Sequence, residues 1–229
     1  MGEKRIGRQA AIRGIYIIVE GPTEEQFVNE VLRPYFIGMG IYDVRAILIQ
    51  TSPGYKGGDM KFERYKNNIE HLLKAERDIV VTSLIDYFRL RTDFPKYAEA
   101  QSIVDKYKRV AFLEHAVREV IPDERFVPYI QLHEFEGLLF SADTGFKYLG
   151  NIPEKHMTEL QQAIAGAPEL INDGATTAPS KRLERLIPGN KKRQHGPIVA
   201  MEIGIPIILA RCDRFRYWLE TITGIMKAG

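Results

Sequence analysis

The stretch Ile15-Tyr16-Ile17-Ile18-Val19-Glu20-Gly21-Pro22-Thr23-Glu24 decides how the chain is to be read. An unbroken run of apolar, mostly β-prone residues is the pattern of a strand buried on both faces, as in a parallel sheet. The run stops at Glu20-Gly21-Pro22. Thr23, with Gln26 three residues on, has the spacing of a capping box. Glu24 and Glu25 fall in the first turn that follows, where the helix dipole favours acids. Phe27, Val31 and Leu32 then mark the apolar face of a helix running to about Tyr35.

Working outward, strand and helix patterns alternate. A second strand is predicted over 44–49. A Gly-rich loop holding Gly54, Gly57 and Gly58 follows; it matches neither a Walker A motif nor a dinucleotide fingerprint. Phe62, Tyr65, Ile69, Leu72 and Leu73 restore helical spacing. A third buried strand over 78–85 ends at Asp86. Residues 96–120 read as helix, with Val110, Leu113, Val117 and Val120 on one side, and 126–132 as a fourth strand ending at His133-Glu134. Beyond 135 the only strand-like run is 205–209, and helices are predicted over 154–165, 179–186, 198–203 and 212–222. The expectation is an α/β fold: a core of about four parallel strands over 1–140, with a helical C-terminal subdomain over 141–229 packed on it.

Composition narrows the function classes. At 45% hydrophobic and 27% charged, the 229 residues suit an ordinary globular chain and not a disordered one. The single cysteine, Cys212, excludes an intramolecular disulfide framework and a multi-thiolate zinc site. No apolar stretch approaches the roughly 18 residues of a membrane span. The basic N-terminus lacks the apolar segment of a secretory signal. These features point to the cytoplasm, most simply of a prokaryote. Lys plus Arg number 32 against 30 Asp plus Glu, a formal net charge of +2, which excludes a globally basic protein but not one with separate acidic and basic patches.

In an open parallel sheet, functional residues collect at the carboxyl ends of the strands. Glu20, Asp86 and Glu134 each follow a predicted strand, with Glu24 and Glu136 close behind, so they fall on one sheet edge. Like charges gathered in one crevice repel unless a cation sits among them. Mg²⁺, or Mn²⁺ in its place, fits such an oxygen-only edge because it takes one or two carboxylates and keeps several waters. Acids after strands also serve as caps and turn formers, and Glu24 alone could be a first-turn residue only. His133, beside Glu134, has a pKa range suited to moving a proton.

The second constellation is basic. Residues 180–196 hold six Lys/Arg and one Glu. Leu183, Leu186 and Ile187 would face inward and Lys181, Arg182 and Arg185 outward, with Lys191 and Lys192 in a loop before His195. A solvated charged face is the plain reading. Set opposite an acidic edge, the same run would hold a polyanion such as DNA or RNA.

The opening stretch resembles the Val-Glu-Gly-x-Thr-Glu signature of toprim domains, the catalytic fold of topoisomerases, DnaG-type primases and OLD-type nucleases. The wider series resembles a toprim-like domain-of-unknown-function family of prokaryotes, related to RloB and OLD-type proteins. Its pieces here are Asp86-Tyr87-Phe88 with Asp93-Phe94-Pro95, then His133-Glu134-Phe135-Glu136-Gly137-Leu138-Leu139-Phe140, then Pro179-Ser180-Lys181-Arg182-Leu183. Lys192, His195-Gly196, and Cys212-Asp213-Arg214-Phe215 with Trp218 complete it. The resemblance implies a Mg²⁺-dependent nuclease in which Glu20 is general acid or base. Asp86 then corresponds to the first position of the family's Asp-x-Asp motif; Glu24, Glu134 and Glu136 are expected as further metal ligands from their place at the strand ends, Glu134 and Glu136 directly or through water. It also implies an ATPase partner in a defence-type locus; a homodimer is a further expectation. The second Asp of that motif is Phe88 here, so the chain would bind one metal, recruit Asp93, Glu134 or Glu136 instead, or act as a non-catalytic module that binds nucleic acid or a nucleotide and regulates the ATPase. A phosphatase or nucleotidyl transferase on a small phosphorylated substrate is a further alternative.

Overall fold

A computed structural model describes residues 11–52, 55–56, 60–148, 152–171, 177–187 and 192–228, with backbone alone at 50–52, 55–56, 148 and 192–194. The Gly54–Gly58 loop therefore lies largely outside the described residues, and Lys191 wholly so. Along the chain run β1 (Gly14–Val19), α1 (Pro22–Phe27), α2 (Arg33–Gly38), β2 (Asp43–Leu48), β3 (Gln50–Ser52) and β4 (Tyr55–Lys56). Next come α3 (Phe62–Ala75), β5 (Ile79–Asp86), α4 (Tyr97–Ala100), α5 (Lys106–Val120), β6 (Phe126–Val127) and β7 (Ile130–Gln131). The C-terminal part is helical: α6 (Glu154–Ala165), α7 (Pro179–Leu186), α8 (Lys192–Ile203), α9 (Ile205–Arg211) and α10 (Asp213–Ala228).

The main sheet is parallel throughout, in the order β2-β1-β5-β6, with β7 also pairing with β5. β1 and β5 are its centre and are buried along their whole lengths. Alternation along them feeds two cores. Ile15, Ile17 and Val19 face one, with Val80 and Leu84, under α1 and the C-terminal helices. Tyr16 and Ile18 face the other, with Ile79, Val81 and Ile85, under α3 and α5. Even the buried hydroxyls obey this period: Thr82 accepts from the Trp218 indole N–H at 2.8 Å on the first face, and Ser83 accepts from Tyr65 at 2.8 Å on the second. Burying a polar group costs free energy unless it is bonded, so these pairs hold the helices in register with the sheet.

Four expectations are corrected. The fourth strand is split, because Pro128 has no N–H to give to the ladder. Residues 205–209 form helix α9, not a strand: Gly204 (φ 81) turns the chain and Pro206 sits in the first helical turn. The 96–120 helix is two helices, the second opened by Asp105, whose carboxylate accepts from the Lys108 N–H at 2.9 Å. Thr23 does not cap α1. Pro22, with its fixed φ, occupies the first turn, the cap position falls to Gly21, and Thr23 is buried inside the helix. The helix from there to Gly38 is also not uniform: a π turn spans Val28–Leu32. Among the described residues no helix is long and apolar enough to cross a membrane.

Candidate functional site

Strand register fixes the site. β1 and β5 are adjacent, and Val19 lies level with Leu84, so Glu20 leaves the sheet where β5 runs on to Asp86. On the far side of β5, Asp86 is level with Gln131 of β7, which continues into Leu132, His133 and Glu134. The predicted acids of the three strand ends therefore share the carboxyl edge of one sheet, as parallel pairing requires.

Two hydrogen bonds lock the loops leaving β5 and β7 together. The Phe135 N–H donates to Asp86 Oδ1 at 2.9 Å, and the Phe88 N–H donates to the His133 carbonyl at 2.9 Å. Between them His133 takes a left-handed backbone (φ 67). For a residue with a Cβ that conformation costs about 1–2 kcal/mol, a strain of the kind that gathers at functional sites. The His133 side chain is 1% exposed.

The carboxylates differ in what they do. Both oxygens of Glu134 engage the start of α7, accepting from the Ser180 N–H (2.9 Å) and the Ser180 hydroxyl (3.0 Å). Glu134 is 3% exposed, and these bonds clasp the basic helix to the carboxyl edge. Glu136 follows in the tight turn Phe135–Ser141 at 1% exposure. Glu24, at 7%, folds back over the strand–helix turn: a Cβ on Gly21 would stand only 2.7 Å from its Oε2. Asp86 is also 7% exposed, and Glu20 is partly exposed. Phe88, in place of the second Asp of the motif, lies in the turn Tyr87–Arg89 at the end of β5. Asp93, a possible substitute for it, accepts instead from the Phe62 N–H at the start of α3 (3.3 Å).

α8 closes the edge. A Cβ at Gly196 would stand 3.4 Å from the Phe135 ring and 3.6 Å from the Thr23 methyl, so the helix start carrying His195 lies on both the first turn and the His133–Glu136 turn. The start of α7 is thus held at the edge that carries the acids, and α8 packs against its turns. Of the predicted phosphate-binding set, Lys181 and Arg185 are exposed and paired with Glu184 (2.8 Å) and Glu159, and Arg182 is partly exposed. Lys192 opens helix α8 and does not lie in a loop as its sequence suggested; its side chain lies outside the described residues, and His195, on the same helix, is partly exposed. Leu183, Leu186 and Ile187 are buried, as their spacing predicts.

For a metal, the donor set is open. Among the described residues no group of three or more His, Cys, Asp or Glu is placed to hold an ion by itself. Mg²⁺ does not require that: one or two carboxylates, water and substrate oxygens satisfy it. Glu20 and Asp86 follow or end neighbouring strands of this edge and Glu24 folds over Gly21, so one or two of these carboxylates would have to serve, with water and substrate completing the shell.

Sequence reading missed the bracing of this edge. Glu169 accepts from the N–H groups of Phe215 (3.0 Å) and Arg214 (3.2 Å) and so opens α10. Burial pushes its carboxyl up, against the pull of those two N–H groups. The Cys212 thiol is fully buried and packed against Ser141 at 3.5 Å, and burial pushes it up to about 12. The Cys212–Trp218 segment was visible as a motif; its partners, far away in sequence, were not.

The comparisons come to one finding. A model of the family described as a domain of unknown function, DUF4276, matches residues 19–223, and the chain belongs to that family. No curated protein and no solved structure matches.

Proposed function

We propose that this DUF4276 protein is a Mg²⁺-dependent, toprim-type phosphodiesterase that cuts DNA or RNA, related to the RloB and OLD-type proteins its motif order resembles. The observation that supports this best is the register of β1, β5 and β7, which puts Glu20 and Asp86 on one edge beside buried His133. Glu20 takes or gives a proton at the attacking or leaving oxygen, or holds the metal; Asp86 holds it, with Glu24 and Glu136 nearby. When bound, the ion supplies charge for the scissile phosphate and polarises the attacking water. His133 serves the proton path. Glu134 acts as a positioning residue through Ser180. Lys181, Arg182, Arg185, Lys191, Lys192 and His195 hold the phosphate backbone. A cytoplasmic homodimer working with an ATPase partner belongs to the same proposal.

A second reading is a non-catalytic toprim-fold module that binds nucleic acid or a nucleotide and regulates that ATPase. Phe88 in place of an Asp and the engagement of both Glu134 oxygens favour it. Calorimetric titration with Mg²⁺ separates the two. The enzyme binds the ion at millimolar concentration and Asp86→Ala abolishes binding; the module binds nucleic acid without metal and keeps doing so in Asp86→Ala.

A further inference from the structure

A cavity of about 610 Å³ opens between α5, the β6–β7 segment and α10, and none of the acids of the carboxyl edge lines it. Its size falls in the range of roughly 300–1,000 Å³ typical of small-ligand sites. Val127, Pro128 and Tyr129, which lead into β7, line one side of the cavity, and the backbone of Ile130 that follows is already bonded. Glu114 accepts from the Ile130 N–H (2.8 Å), Arg214 donates to the Ile130 carbonyl (3.2 Å), and the two side chains pair at 2.6 Å. The ion pair takes up the N–H and the carbonyl of Ile130, so an added strand could not bond that residue. Tyr129 is likewise spent, stacked on Trp218 at 4.4 Å with the Arg214 guanidinium over its ring.

What stays available is aromatic and cationic. Tyr217 lines the cavity and is 72% exposed, and Tyr107 lines it as well. The acids of the lining are neutralised: Glu114 by Arg214, and Asp213 by Arg216 at 2.6 Å. His115 Nε2 lies 3.5 Å from the Glu119 carboxylate. Arg118 is exposed and has no ion-pair partner among the described residues. A tyrosine-lined cavity with one uncommitted guanidinium suits a flat ring that carries an anionic group.

We infer that this cavity binds a small aromatic anion, a planar ring bearing a phosphate or a carboxylate, with the ring against Tyr217 and Tyr107 and the anion on Arg118. This does not rest on the phosphodiesterase reading. The chain supplies its own reporter, because Trp218 is its single tryptophan and lines the cavity.

The test is a fluorescence titration of the whole chain, separately with AMP and with 3-phenylpropionate. The expected result is a saturable change in Trp218 emission with at least one ligand; AMP alone identifies a nucleotide site and phenylpropionate alone an aromatic-acid site. Arg118→Gln, at an exposed position, should keep the wild-type melting temperature and weaken binding about tenfold, the scale of one lost charge-assisted bond. Tyr217→Ser should also weaken it, while Asp86→Asn should bind like wild type. Absence of a saturable signal with both ligands up to roughly 10 mM overturns the inference. So does wild-type affinity in Arg118→Gln, loss of binding in Asp86→Asn, or ribose 5-phosphate binding as tightly as AMP.

Discussion

The two ends of β1 invite comparison. At its amino end the Tyr16 hydroxyl donates to the Glu76 carboxylate (2.8 and 3.0 Å to its two oxygens) and lies 3.4 Å from Asp43. Arg45 pairs with Asp43 at 2.7 Å and covers the Tyr16 ring, with side chains 55% and 40% exposed. Nearby, Arg125 pairs with Asp123 at 2.8 Å and donates to the carbonyls of Glu76 and Leu73. At the carboxyl end Glu24, Asp86, Glu134 and Glu136 are each 7% exposed or less, and His133 stands among them on a strained backbone. The residue types are similar. At the amino end charges meet in neutral pairs that water also screens, an arrangement worth little beyond tying chain segments together. At the carboxyl end acids of one sign are taken out of water, which costs free energy and makes this end the candidate for chemistry.

Substitutions at the two ends should therefore behave differently. The largest effect is expected for Asp86→Asn: cleavage of nucleic acid with Mg²⁺ should fall by about 100-fold or more, with little change in the urea midpoint. An equal fall from Glu76→Gln at the other end would erase the distinction. Glu134→Ala should next cost about 1–3 kcal/mol in urea unfolding, because the buried Ser180 N–H and hydroxyl lose their acceptors. It should also lower activity by releasing α7; stability unchanged would mean that Glu134 is no clasp. Gly21→Ala should leave stability nearly intact but push the Glu24 carboxylate aside, lowering activity about tenfold by misplacing a site group. Unchanged turnover there would remove Glu24 from the site.

The smallest effect belongs to the amino end. Tyr16→Phe should cost roughly 0.5–1.5 kcal/mol, one hydrogen bond's worth, and leave activity alone. Burial, and then the bond to Glu76, hold the Tyr16 proton well above its ordinary 10.0. The folded chain thus binds that proton more tightly than the unfolded one. Its contribution is complete below pH 10.0 and is lost as pH rises toward the elevated value. Urea midpoints measured above pH 10.0 should decline less steeply in Tyr16→Phe than in wild type.

Local patterns were legible in the sequence. The β1 run, the helices over 154–165 and 179–186, and the gathering of Glu20, Asp86 and Glu134 at one edge follow from periodicity and from the polarity of parallel strands. Local exceptions were harder: one proline split the fourth strand, and another moved the start of α1 ahead of Thr23. What joins the site was not legible. Glu134 with Ser180 and Glu169 with Phe215 each lie 46 residues apart, and beside the separate cavity Arg214 and Glu114 lie 100 apart. No repeat in the intervening sequence encodes such pairs; they appear only once helices have packed.

The most direct test is cleavage of supercoiled plasmid and of single-stranded DNA and RNA by wild type and Glu20→Ala, with Mg²⁺ or Mn²⁺. The account predicts metal-dependent cutting of at least one substrate by wild type and a loss of about 100-fold or more in Glu20→Ala. Equal rates in the two proteins, or no cutting of any substrate by wild type, would contradict it.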